Sequence, residues 1–188
     1  MSQEVWLVRH AETAWSAAKR HTGRTDVPLT DAGREAARAL APILGGHDFA
    51  AVLSSPLSRA LETARLAGFG DVVQLRDDLL EFDYGDYEGI TTEEIRRTRP
   101  DWLLWRDGCP NGETADAVGA RVDRVIAEAL DADGDVALFG HGHVLRALGA
   151  RWLEQPAAFG ARLALDTGAV CVLGFEREMR VTWRWNAR

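Results

Sequence analysis

Hydrophobic positions along this chain recur in two rhythms. Val5-Trp6-Leu7-Val8, Phe49 to Leu53, Val72 to Leu75 and Val136-Ala137-Leu138-Phe139 are short apolar runs. Runs of this length, bounded by polar or glycine residues, predict strands buried on both faces, as in a parallel sheet. Between them the period lengthens. Ala36, Leu40, Ile43 and Leu44 share one face of a helix that Thr30 can cap. Val118, Val122, Val125, Ile126 and Ala129 mark a long amphipathic helix within Glu113 to Leu130, and Val144 to Leu153 predicts another. Ser55-Pro56 reads as an N-cap followed by proline at the first helical position, opening a helix through about Ala67. Thr91 with Glu94 resembles a capping box for a short helix that ends near Arg99-Pro100. Ala169 to Phe175 and Met179 to Trp185 predict two strands joined by the turn Glu176-Arg177-Glu178.

Strands alternating with helices predict an α/β fold, a three-layer α/β/α sandwich around a mostly parallel sheet. Its 188 residues suit a single domain, 1–188, with a core of its own. The irregular stretch Leu79 to Asn111, rich in Trp and Gly, is expected to cover one end of the sheet. Trp6, Trp183 and Trp185 fall in strands and read as core or edge packing.

Composition narrows the partners. With 46% hydrophobic and 27% charged residues the chain reads as globular, and no apolar stretch reaches the roughly 20 residues of a membrane helix. The N-terminus lacks a basic segment and a long apolar one, so a cytoplasmic location and no membrane association are expected. Cys109 and Cys171 are the only cysteines, and their spacing suggests neither a disulfide framework nor a zinc site. A net charge of −7 argues against nucleic acid as a partner. An anionic substrate would therefore need a locally basic pocket. A homodimer is left open.

The chemistry lies where the strands end. Arg9-His10 directly follows the first apolar run, and Gly140-His141-Gly142 follows the fourth. In open α/β sheets, ligands bind beyond the carboxyl ends of the strands. Two histidines with an arginine beside the first suggest a phosphate pocket holding a nucleophile. A nucleophilic imidazole must be neutral at the attacking nitrogen and held in one tautomer by its other nitrogen. Arginine suits the equatorial phosphate oxygens because its planar fork matches them. Arg59, in the first turn of a helix that follows a strand, places a guanidinium near a helix N-terminus.

Leu7-Val8-Arg9-His10-Ala11-Glu12-Thr13, Ser55-Pro56-Leu57-Ser58-Arg59-Ala60 and Phe139-Gly140-His141-Gly142 together resemble the signatures of the histidine phosphatase superfamily, in its phosphoglycerate mutase-like branch. The resemblance covers essentially the whole chain. It implies that His10 is the phosphorylated nucleophile and that Arg9, Arg59, His141, Thr22, Gly23 and Gly142 form the phosphate pocket. It also implies that Glu81 is the proton donor and that neither metal nor cofactor takes part. Asp83, Asp86 and Glu88 then read as solvated loop charge. The chain departs from the usual pattern at Ala11, where the family has Gly, and at Ser16, often Asn. The segment Trp105 to Thr114 resembles that of sedoheptulose-1,7-bisphosphatase-type enzymes and of a bacterial acid-phosphatase group. By that likeness Arg106 would meet a second phosphate or a carboxylate; Ser16, at the family's usual Asn position, and His143, beside His141, are further candidates for substrate contact. The expected substrate is a small phosphorylated metabolite, a sugar phosphate or bisphosphate. Alternatives are a broad-specificity acid phosphatase, a mutase, a metal hydrolase built on His141 and His143, and a binding module without activity.

Overall fold

The computed structural model describes residues 3–187. Its centre is a six-stranded sheet formed by β1 (Val5–Arg9), β2 (Ala51–Ser54), β3 (Val73–Leu75), β4 (Val136–Gly140), β5 (Val170–Glu176) and β6 (Met179–Ala187). The strand order is β3-β2-β4-β1-β5-β6. The first four strands run parallel, while β5 pairs antiparallel with β1 and β6 antiparallel with β5. This is the mostly parallel α/β architecture expected from the alternation of runs and helices.

The unbroken apolar runs are explained by burial on both faces. Val5, Leu7, Val136, Leu138, Cys171 and Leu173 point into one core, and Trp6, Val8, Ala137, Phe139, Val170 and Val172 into the other. The first core is closed by α7 (Ala115–Leu130) and α8 (Gly142–Trp152). On α7, Val118, Val122, Val125 and Ile126 are all buried. Each such side chain contributes roughly 1.5–3 kcal/mol relative to exposure. Thr114 caps α7 by accepting from the Ala117 N–H, so Glu113 lies just outside the helix that was expected to include it.

Three elements differ from expectation. The Thr30-capped helix breaks after α2 (Asp31–Arg38) and resumes as α3 (Ala41–Leu44), whose first turn holds Pro42, a residue without a backbone donor. The buried stripe is consequently Gly33, Ala37, Leu40 and Leu44, and Ala36 and Ile43 are exposed. Ser55 is not a helix cap. The helix α4 (Ser58–Ala64) starts three residues later, and the Asp26 carboxylate accepts from Ser58 N and Oγ at 2.8 Å each. Finally, β3 forms an edge and leaves Val72 and Leu75 exposed. No helix among the described residues is long and apolar enough to cross a membrane.

Candidate active site

Register brings the motifs together. β1 and β4 are adjacent and parallel, with Arg9 opposite Gly140. The ladder runs one step further, His10 N–H donating to the Gly140 carbonyl at 2.9 Å, so His10 and His141 emerge side by side. Their ring centroids lie 5.2 Å apart. On the other flank of β4, Ser55 N–H donates to the Phe139 carbonyl at 2.9 Å. Three strand ends far apart in sequence thus deliver Arg9-His10, Ser55 and His141 to one place.

The hydrogen bonds fix both imidazoles. His10 Nδ1 lies 2.7 Å from the Ala11 carbonyl, which only accepts, so Nδ1 carries the proton and Nε2 keeps its lone pair. Burial, with Arg9 and Arg59 nearby, pushes His10 well below the usual imidazole range. His141 Nδ1 receives the Arg59 Nε–H at 3.1 Å, which leaves Nε2–H to donate to Ser55 Oγ at 2.8 Å. His141 is likewise held neutral, by burial first and by Arg59 second.

Arg59 is fully buried. Its Nη atoms donate to the carbonyls of Thr22, Gly23 and Thr25 at 2.9–3.0 Å. Four of its five N–H groups are thereby engaged, and the guanidinium orders the 22–25 loop as well as His141. The Gly23 N–H meets both oxygens of Glu88, at 2.9 and 3.0 Å, so Glu88 anchors this loop instead of standing in solvent as its sequence context suggested. Arg9 Nη1 donates to the Leu165 carbonyl. Its buried Nε–H has no hydrogen-bond partner among the described residues. A side chain at Gly142 would approach the Arg9 guanidinium to 3.2 Å, so glycine there leaves the arginine its place.

Glu81 projects from an irregular segment to the N-terminus of α8. Its Oε1 accepts from the Phe82 and Val144 N–H groups at 2.9 and 2.8 Å, and its Oε2 accepts from the His143 N–H at 2.9 Å. Oε2, with one donor against two, is the oxygen with room for a proton. Gly85 lets this segment stack on the Cys109–Gly112 turn. Its φ is +50°, and a Cβ there would lie 2.1 Å from the Pro110 carbonyl oxygen.

A cleft of about 410 Å³ opens over these groups, lined by Arg9, His10, Ser16, Thr22, Glu81, Gly142 and His143 among others. The fully buried Arg59 and His141 stand against its inner wall. Within the cleft, Ser16 Oγ is also engaged in capping α1 (Ala14–Ala17) through Thr13. His143 Nδ1 lies 2.6 Å from the Tyr84 hydroxyl.

Arg106 is the exception. It lies on α6 (Leu104–Asp107), is 59% exposed, and forks onto Asp107 at 2.8 Å through Nε and Nη2. It lies outside the cleft. The inward position of that helix belongs to Trp105, and the cation near it is Arg146, 5.1 Å from the Trp105 ring. Sequence reading missed Arg146, Lys19, Arg20 and Arg96, all of which line the cleft. Arg146 had a signal, standing three residues after His143 and so on the same helix face. Lys19, Arg20 and Arg96 had none. The cleft holds five Arg and Lys side chains against one carboxylate, Glu81, in a chain of net charge −7.

The chain belongs to the histidine phosphatase superfamily (branch 1), whose family model matches residues 5–188. It is accordingly a phosphoric monoester hydrolase. It is 46% identical over 178 residues to an acid phosphatase of Mycobacterium tuberculosis, covering 93% of this chain and 87% of that protein. It is 35% identical to the sedoheptulose 1,7-bisphosphatase of Saccharomyces cerevisiae, covering 78% of this chain and 66% of the yeast protein. The solved structure of a Mycobacterium tuberculosis open reading frame product matches with a TM-score of 0.93 and 42% identity, over 98% of this chain and 97% of that one.

Proposed function

We propose that the chain hydrolyses a small phosphorylated metabolite through a phosphohistidine on His10. The observation that carries this reading is the His10 ring. Its Nδ1–H is fixed to the Ala11 carbonyl and its Nε2 is neutral, in a cleft lined by cations. In the first step the Nε2 lone pair attacks phosphorus, the phosphorus–oxygen ester bond breaks, and the leaving oxygen takes a proton from Glu81. In the second, a water oxygen attacks the phosphohistidine and gives a proton to Glu81. The phosphorus–nitrogen bond then breaks and its electron pair returns to His10 Nε2. Arg9 and the remaining Arg59 N–H stabilise charge on the equatorial oxygens, the role in which fixed donors contribute most, and His141 joins them when its Nε2–H turns from Ser55 to the phosphate. Both steps balance with the groups named, and neither calls for a metal.

The rim suits a substrate with a second anionic group, as in a sugar bisphosphate or a phosphorylated acid. Lys19 holds a left-handed backbone, φ +56°, which is costly for a residue with a side chain. Arg20 is tied to the Gly89 carbonyl at 2.5 Å and Arg96, at the end of α5 (Thr92–Arg96), to the Trp102 carbonyl at 3.1 Å, so both are oriented. One of the relatives named above, the yeast sedoheptulose 1,7-bisphosphatase, fits this reading.

The test is a rapid quench with phosphorus-32-labelled substrate. The wild-type protein should trap an acid-labile, alkali-stable phosphoprotein, and His10→Ala should lose both label and turnover, by about 10⁴-fold or more for removal of a nucleophile. Labelling of the His10→Ala protein would overturn the assignment.

A further inference from the structure

Arg121 lies on the inner face of α7, buried with only 7% of its surface exposed, and does not line the cleft. Three of its five N–H groups are directed at the segment that carries Glu81. Nη1 donates to the carbonyls of Asp78 at 2.8 Å and Leu80 at 2.6 Å, and Nη2 donates to the carbonyl of Glu81 itself at 3.1 Å. Nε and Nη2 also fork onto Glu113, at 2.9 and 3.0 Å. Glu113 in turn clamps the segment beyond the acid. Its Oε2 accepts from Asp83 N–H at 2.8 Å, and its own N–H donates to the Asp83 carbonyl at 2.9 Å. The Arg121–Glu113 pair therefore grips the backbone on both sides of Glu81, and at Glu81, with Arg121 on the 16-residue helix α7 and Glu113 just ahead of its cap.

We infer that Arg121 is a positioning residue for proton transfer, holding Glu81 at the attitude from which it reaches the leaving oxygen. The segment has little regular structure to do this itself. Between Asp77 and Tyr87 it forms only two single turns of 3₁₀ helix. A planar guanidinium serves three carbonyls and a carboxylate together, which an ammonium on a flexible stem does not. Proton transfer needs a heavy-atom separation of about 2.6–3.2 Å, and an error near 1 Å can cost on the order of 10²-fold in rate.

The inference rests on Glu81 as proton donor, so the experiment measures both. kcat/KM is compared for p-nitrophenyl phosphate, whose leaving group hardly needs a proton, and for glycerol 3-phosphate, whose alkoxide does. The ratio of the two, taken on one preparation, does not depend on how much of the protein is folded. Glu81→Gln sets the reference, with a selective loss on glycerol 3-phosphate. Arg121→Lys should lower glycerol 3-phosphate hydrolysis by about 10- to 100-fold and p-nitrophenyl phosphate by less than about 3-fold. Glu113→Gln, which keeps the shape of the clamp, should shift the ratio in the same direction by several-fold, and gives the reading should Arg121→Lys fail to fold. Equal losses on both substrates in these variants, with Glu81→Gln still selective, would reduce Arg121 to a structural role. A Glu81→Gln protein without selectivity would instead remove the donor assignment itself.

Discussion

The inner wall of the cleft and the acid segment opposite it are held in different ways. The wall is made of strand ends. Arg9, His10, Ser55 and His141 take their backbone positions from a parallel ladder, and hydrogen bonds to Ala11, Ser55 and Arg59 then orient the two imidazoles. The acid segment has no ladder. Glu81 is placed by side chains acting on backbone, with Arg121 and Glu113 behind it and the N–H groups of His143 and Val144 in front. A phosphoryl group needs the same wall whatever ester it comes from. A leaving group differs from substrate to substrate, and in the proposed mechanism the part that meets it is the part built from loops, where change is tolerated.

That contrast can be broken or sharpened by measurement. The largest effect is expected from Glu81→Gln, which should lower kcat/KM for an alkyl phosphate by about 10²–10⁴-fold, the usual worth of a general acid, and far less for p-nitrophenyl phosphate. Competitive binding of vanadate, which reports the wall, should survive the same substitution. Loss of vanadate binding together with activity would show that wall and segment are one unit.

The wall also predicts a pH response. His10 and His141 have folded-state values lowered, by burial first, below their ordinary one of about 6.5. Between the folded and unfolded values the unfolded chain binds more protons. Their contribution to stability is thus complete above about pH 6.5 and is lost as pH falls toward the folded values. The urea midpoint should fall from pH 7.5 to pH 5.5. The acid limb of kcat/KM should lie below 6.5, because His10 stays neutral there. An acid limb at 6.5 or above would mean that the imidazole is not protected as the geometry requires.

Smaller effects belong to the rim. Arg96→Ala should raise KM for a sugar bisphosphate by about 10-fold, the loss of one charge-assisted contact, and leave p-nitrophenyl phosphate unchanged. Arg106→Ala should change kcat/KM on either substrate by less than about 2-fold, since that guanidinium is exposed and already paired with Asp107. A bisphosphate-specific loss in Arg106→Ala would return it to the role its sequence context suggested.

The sequence by itself determined the sheet, the helix on each flank of the motifs, and the set of residues at the strand ends. The reason is that burial on two faces leaves a continuous apolar run, and the chemistry follows directly where such a run stops. Local signals reached no further than the chain segment that carried them. Thr30 and Thr91 could be read as caps because a cap and its helix are neighbours in sequence. Ser55 was misread because its partner, His141, lies 86 residues away. Arg121 carries no local signal that sets it apart on its amphipathic helix, and Arg106 reads as the cation that meets a second phosphate. Only the packed structure decided which guanidinium turned inward. That choice depends on which carbonyls and carboxylates other segments bring within reach, and at Arg121 those come from residues 78 to 81 and 113, on two stretches of chain that meet only in the fold.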